Sequence, residues 1–360
     1  LRKNSNKIIF ENGEFTMNRH FTLKIFLAVF LLALLTIAGN VSAQNEAEKQ
    51  AGCSPFITGA FFQFAEGHND ETQYPVEYWL KELEAMKAIG MDTAIIQFNQ
   101  TGKANFSEAT ERFLTAADQC GMRVFIGTSL NEGPLWYTVD KINPIKLALE
   151  SKAVAKYTTI LIKQFKPHES FIGVYIPYED NTFGIPGAVG DFYAGIVKAV
   201  KAEDPKLLTM ISPFTCLQPG RAVSLPKFAL ELYFKTMLSK AKVDICAWQD
   251  GVGGTKDQLS KFDKDLGAIS KICNELGIEV WSNAEVFHRT TPLSKDFEAE
   301  STDFETMKSQ ITGAQKYVSK IICFDFNHYL SPNIGSNSAK TLYDKYKSYY
   351  DEACSAGNAR

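Results

Sequence analysis

Glu179 and Glu285 each close a hydrophobic, β-rich segment, FIGVYIPYE at 171–179 and EVWSNAEVF at 279–287. A carboxylate at the mouth of a buried strand is costly to keep without a use, because burial disfavours its charged form. Two such carboxyls on different strands of one barrel are the minimum apparatus for cleaving a glycosidic bond. One protonates the leaving oxygen while the other attacks the anomeric carbon. That chemistry needs a scaffold that brings the ends of distant strands to one place.

The chain alternates between two textures. Short runs rich in β-branched and aromatic residues fall at 56–64, 93–99, 123–130, 171–179, 207–214, 243–250, 279–287 and 320–330. Between them lie stretches with helical spacing. In 78–89, Leu80, Leu83, Met86 and Ala88 recur at three- and four-residue intervals among Lys81, Glu82, Glu84 and Lys87. Further helices are expected near 107–120, 144–166, 190–203, 225–240, 257–276, 304–319 and 338–352. Gly90, Gly121 and Gly277 each follow a helical run and precede a strand, the place of a glycine C-cap. Strict alternation implies a parallel sheet covered by helices. Eight such units predict an α/β fold, a single-domain (β/α)8 TIM barrel over residues 55–353. An open doubly wound sheet would carry a phosphate-binding glycine loop after its first strand. Here Gly59 and Gly67 flank aromatics, and GVGG at 251–254 lacks the spacing of a nucleotide fingerprint.

In such barrels the chemistry gathers at the C-terminal ends of the strands. Polar residues gather there in this sequence too: Gln63, Gln97, Asn99, Ser129, Glu179, Asp180, Gln249, Asp250, Asn283, Glu285, Asp325 and Asn327. Period-two alternation puts Trp281, Asn283 and Glu285 on one face, Trp248 with Asp250, and Cys323 with Asp325 and Asn327. Aromatics crowd the same zone, including Trp136 in the polar loop NEGPLWYT, Tyr178, Trp248 and Tyr329. Sugars present flat C–H faces to aromatic rings and hydroxyls to amides and carboxylates, so this rim suits a carbohydrate.

The positions of Glu179 and Glu285, on strands four and seven, resemble those of the large clan of retaining glycoside hydrolases built on (β/α)8 barrels. There the acid/base follows strand four and the nucleophile follows strand seven. The resemblance implies double displacement with Glu179 as acid/base and Glu285 as nucleophile. Asn283 and Tyr329 are then candidates to orient Glu285, and Gln249 and Asp250 to bind sugar hydroxyls. The sequence departs from the clan before Glu179, where Pro177 and Tyr178 stand in place of the usual Asn, so Asp180 is a second candidate for the proton donor. The phrases FITGAFFQF, MKAIGMDTAIIQ, GVYIPYED, AWQDGVG and SNAEVF are also similar to an uncharacterised family of secreted bacterial barrel proteins regarded as glycoside hydrolases.

Composition is that of an ordinary globular protein, with 45% hydrophobic and 22% charged residues. A net charge of -3 gives no basic footprint, which argues against nucleic acid or anionic membrane as partner. From Met17, the basic Arg19 and Lys24, the apolar run 25–38 and Val41-Ser42-Ala43 predict a cleaved signal peptide over 17–43. Residues 1–16 then read as an upstream artefact and 44–54 as a linker. The expectation is export to the periplasm or beyond, with no membrane span and a monomer as the default. Lipoprotein anchoring at Cys53 is disfavoured, because polar residues 44–50 separate it from the apolar run.

The seven cysteines are widely spaced and read mostly as small buried hydrophobes, not as catalytic thiols. Five histidines include His20 in the signal peptide, and the E-x-x-H and D-x-x-H spacings at Glu285–His288 and Asp325–His328 point to opposite faces on a strand. No metal or other cofactor is therefore expected. No G-x-S-x-G elbow accompanies Ser212, which disfavours a serine hydrolase. The competing reading is a barrel that binds glycan without cleaving it.

Overall fold

A computed structural model describes residues 56–64, 71–102, 104–130, 143–215, 223–292, 297–333 and 336–357. The expected signal peptide and linker, with Cys53, Trp136 and Cys216, lie outside the described residues. Eight strands form one closed barrel: Ile57–Phe62 (β1), Thr93–Ile96 (β2), Arg123–Gly127 (β3), Phe171–Ile176 (β4), Leu208–Ile211 (β5), Ile245–Gln249 (β6), Glu279–Glu285 (β7) and Lys320–Phe324 (β8). Every pair is parallel and each strand neighbours the next in sequence, with β8 closing onto β1. The principal helices between and after them are Val76–Lys87 (α1), Ser107–Cys120 (α2), Pro144–Phe165 (α3), Pro186–Glu203 (α4), Lys227–Ala241 (α5), Gly267–Leu276 (α6), Phe304–Ala314 (α7) and Asn337–Gly357 (α8). This is the (β/α)8 barrel expected from the alternation.

Local chemistry sets the joints. Asn143 caps α3, its side chain accepting from the N–H groups of Ile145 and Lys146 at 3.1 and 3.2 Å, with Pro144 at the first turn. Gly121 ends α2 in the left-handed conformation at φ 66°, which a residue without Cβ adopts freely.

The core has two layers. Between sheet and helices lies a broad apolar shell that includes Phe62, Trp79, Phe113, Phe192, Trp248 and Phe262. Inside the barrel each strand contributes a side chain to a plug: Phe61, Ile95, Phe125, Tyr175, Met210, Ala247, Trp281 and Ile322. Its rings meet edge to face, Phe61 on Tyr175 at 5.0 Å and Phe125 on Trp281 at 5.9 Å. Gly173 makes room for this plug, since a Cβ there would stand 2.5 Å from the Phe125 ring. The plug makes the barrel a cup with a floor, so whatever binds at the mouth rests on it.

Two segments differ from the sequence reading. The runs 171–179 and 320–330 are not strands to their ends. β4 stops at Ile176, and Glu179 lies three residues beyond it. β8 stops at Phe324; a cis peptide joins Phe324 to Asp325, and Phe326–Tyr329 form a short helix. Asp325 therefore serves as a helix cap, and the shared strand face expected of Cys323, Asp325 and Asn327 does not form. Its Oδ1 accepts from the N–H of His328 at 3.0 Å and its Oδ2 lies 2.8 Å from His328 Nδ1.

The plug joins side chains from all eight strands. Phe125→Ala should cost about 3–5 kcal/mol of unfolding free energy by urea titration, the penalty of truncating a fully buried aromatic.

Candidate active site

Along a strand, side chains two apart share a face. The plug fixes which face is inside, and the next inward position on several strands is polar. Gln63 follows Phe61, Gln97 follows Ile95, Ser212 follows Met210, Gln249 follows Ala247, and Asn283 follows Trp281, with Glu285 one step higher. These residues make the floor of the mouth. Gln63 Nε2 donates to Gln97 Oε1 at 2.5 Å. Across the barrel, Asn283 Nδ2 donates to Ser212 Oγ at 3.2 Å and Gln249 Nε2 to the Ser212 carbonyl at 2.6 Å. Asn283 Oδ1 is buried without a hydrogen-bond partner among the described residues. The floor thus holds one carboxamide pair, Gln63 with Gln97, and two carboxamides gathered on Ser212.

Glu285 ends β7, partly buried, with Oε2 accepting from the backbone N–H of Gly253 at 2.9 Å. Its pKa is pushed up to about 8, first by burial, then by the neighbouring Asp250 and by Glu179. The charge of Glu179 therefore reaches Glu285 across the mouth. Asp250 sits behind it, fully buried, on the side of the sheet that faces the helices. Asp250 Oδ1 accepts from the N–H groups of Val252 at 3.0 Å and Glu285 at 3.2 Å, and Oδ2 accepts from Gln310 Nε2 at 2.8 Å. Burial outweighs these bonds and raises Asp250 to about 6. Gln310, on α7, also donates to the carbonyl of Glu285 at 3.0 Å, so one carboxamide ties both acidic residues.

Glu179 is placed by its neighbours. Tyr178 is buried with its ring 4.7 Å from Phe192, its hydroxyl bonded to Glu150 of α3 and its carbonyl accepting from Tyr193 of α4. Asp180 is buried on the other side, accepting from Tyr233 of α5 at 3.0 Å and from the N–H of Thr182 at 3.2 Å. Three helices thus hold residues 178 and 180 against the outer shell, and Glu179 between them is half-buried.

The structure brings together Glu179, Glu285, Gln63, Gln97, Gln249 and Asn283 at the mouth. Others among the sequence candidates engage the scaffold. Trp248 faces the shell, its ring 5.1 Å from Phe262 and its N–H on Thr215 at 3.3 Å. Asp250 braces Glu285. Asp325 caps its helix, and Asn327 holds the backbone N–H and carbonyl of Gln63 at 3.2 and 2.8 Å. Tyr329 places its ring 5.1 Å from Phe287, just past β7. Trp136 is outside the described residues. Gly253 and Gln310 were not anticipated from sequence. The GVGG loop was a visible signal for the first; a polar residue within a helix gave none for the second.

Comparison with known proteins follows the same line. Residues 57–336 match a family model described as a domain of unknown function, DUF4434. The chain belongs to this family. No curated protein matches it. Among solved structures, it is similar to a Bacteroides thetaiotaomicron VPI-5482 protein that carries the provisional name alpha-L-fucosidase, with TM-score 0.69 and 22% identity over 83% of this chain and 94% of that one. It is also similar to a beta-D-glucuronidase from Dictyoglomus thermophilum, with TM-score 0.53 and 14% identity over 83% of this chain. A beta-galactosidase from Marinomonas ef1 gives TM-score 0.53 and 9% identity over 84% of this chain. The match spans 51% of the glucuronidase and 60% of the galactosidase. What this DUF4434 chain shares with the three at such identities is the fold.

The raised Glu285 carboxyl has a thermodynamic signature. Its folded pKa of about 8 lies above the ordinary 4.5, so the folded state holds the proton more tightly. That contribution is complete below about pH 4.5 and is lost as pH rises through about 8. Thermal unfolding from about pH 5 to about pH 8 should show a falling midpoint in the wild type and a flatter profile in Glu285→Gln.

Proposed function

We propose that this DUF4434 protein is a secreted glycoside hydrolase that cleaves O-glycosidic bonds of a poly- or oligosaccharide by a retaining double displacement. The observation that carries the proposal is the pairing at the mouth: carboxyls after β4 and at the end of β7, with the charge of one felt by the other. The residues 17–43 support export, and the likeness in fold to proteins named for glycosidase activities supports the reaction class.

Glu179 protonates the glycosidic oxygen as the bond to the anomeric carbon breaks, and Glu285 attacks that carbon to form a glycosyl ester. Water then attacks the same carbon, giving its proton to Glu179 and releasing Glu285. The hydrogen bond from the N–H of Gly253 holds Oε2 of Glu285 in place. Gln63, Gln97, Gln249 and Asn283 supply amide donors and acceptors to sugar hydroxyls.

The chemistry needs one proton on the glutamate pair: an acid with no proton donates nothing, and a protonated nucleophile does not attack. Mutual repulsion in a buried site enforces that single proton over a range of pH. In the free site burial and Asp250 favour the proton on Glu285, and the productive arrangement has it on Glu179.

The test is hydrolysis of a broad panel of polysaccharides and aryl glycosides by the wild type and by Glu285→Gln. The wild type should turn over at least one, and the variant should fold and lose that turnover. Activity retained in Glu285→Gln would contradict the assignment. Glycan binding with no hydrolysis of any substrate would instead identify a non-catalytic carbohydrate-binding barrel.

On the wild type, kcat/KM should fall above about pH 8, where the pair gives up its last proton. Asp250→Asn removes the negative charge behind Glu285 and should move that limb to lower pH.

A further inference from the structure

Beyond Glu285 the chain forms a hairpin, Phe287–Arg289 against Ala299–Ser301, antiparallel with Phe287 opposite Ser301 and Arg289 opposite Ala299. Thr290 donates to the carbonyl of Glu298 at 2.9 Å and extends the pairing. Phe297, which precedes the return strand, is 54% exposed. Its ring stands edge to face with Phe287 at 5.6 Å. The guanidinium of Arg289 lies 5.3 Å from the Phe297 ring centre and is itself fixed by the carbonyls of Thr291 at 2.8 Å and Pro292 at 3.2 Å. Tyr329 approaches Phe287 from the short helix after β8 at 5.1 Å, and Phe324, which faces the barrel interior, lies 6.3 Å from Phe287. A continuous run of rings therefore leads from the barrel interior outward to Phe297.

This run is joined to the catalytic carboxyl. A Cβ on Gly253 would stand 2.5 Å from the Phe287 ring, so Phe287 rests directly on the glycine whose N–H holds Glu285. The N–H of Arg289 donates to the Gly253 carbonyl at 2.9 Å. Phe297 is thus held at a fixed offset from Glu285 through three contacts, and a rigid aromatic ring is displayed to solvent where burial would have been favourable.

We propose that Phe297, with Phe287 and Tyr329 behind it, is a second sugar subsite that stacks a residue of the same glycan chain whose scissile linkage lies over Glu285. The ligand proposed is an oligo- or polysaccharide, one residue over Glu285 and another on Phe297. The ring takes the C–H face of a pyranose, and Arg289 holds the ring in place from one side. The proposal rests on the glycosidase reading only for the identity of the ligand.

The probe is affinity electrophoresis of the whole protein in gels that contain xylan, pectic galactan, glucomannan or laminarin. The wild type and Glu285→Gln should both be retarded in at least one gel. Phe297→Ala should keep the wild-type melting temperature and bind roughly tenfold more weakly, while Phe297→Tyr should restore retardation. Equal retardation of Phe297→Ala and wild type would overturn the subsite, as would no retardation of wild type in any gel. Retardation lost in Phe297→Ala, with no turnover by the wild type, would sink the hydrolase reading and leave the subsite standing. Turnover lost in Glu285→Gln, with Phe297→Ala still retarded, would do the reverse.

Discussion

The mouth of this barrel is organised around two carboxyls that should repel each other. Glu285 faces the cup and Asp250 faces the helices, and the side chain of one accepts the backbone N–H of the other at 3.2 Å. Two acids in a buried site, one raising the other's pKa, need donors on hand. The chain supplies the N–H groups of Val252, Gly253 and Glu285 and the carboxamide of Gln310. The turn after β6 delivers two of these donors, Val252 and Gly253. Their number does not cancel burial, so both acids remain above their ordinary pKa and the site holds a proton near neutrality.

The rest of the active face follows from that arrangement. Gly253 gives its N–H to Glu285 on one side and a bare surface to Phe287 on the other, which seats the hairpin after β7. On the opposite rim, the residues that flank Glu179 are tied to three helices, Tyr178 to Glu150 and Tyr193, and Asp180 to Tyr233.

The barrel and its strand count were legible in the sequence, because period-two and helical patterns and glycine caps are local signals. Which polar strand ends face the mouth was legible only in part. Gln63, Gln97 and Asn283 keep the parity of a regular strand and arrive where alternation puts them. Asp325 and Asn327 do not, because the strand stops at Phe324 and a helical turn resets the direction of every later side chain. Asp250 obeys alternation with Trp248, yet periodicity alone says that they share a face and not which face is inside. Gln310 was invisible because its role depends on a contact 60 residues away in sequence. Gly253 sat in a glycine-rich loop that matched no phosphate fingerprint, and its use as a carboxylate donor appears only in three dimensions.

The role proposed for Glu285, held by Gly253, is nucleophilic attack on the anomeric carbon. Incubation of the wild type with a set of 2-deoxy-2-fluoroglycosyl fluorides, followed by peptide mass spectrometry, tests it most directly. Such reagents slow breakdown of the glycosyl ester and leave the sugar on the nucleophile. The account predicts a single adduct on the peptide that carries Glu285, absent in Glu285→Gln. An adduct on Glu179 or Asp250, or turnover of a matching glycoside with inversion at the anomeric carbon, would contradict it.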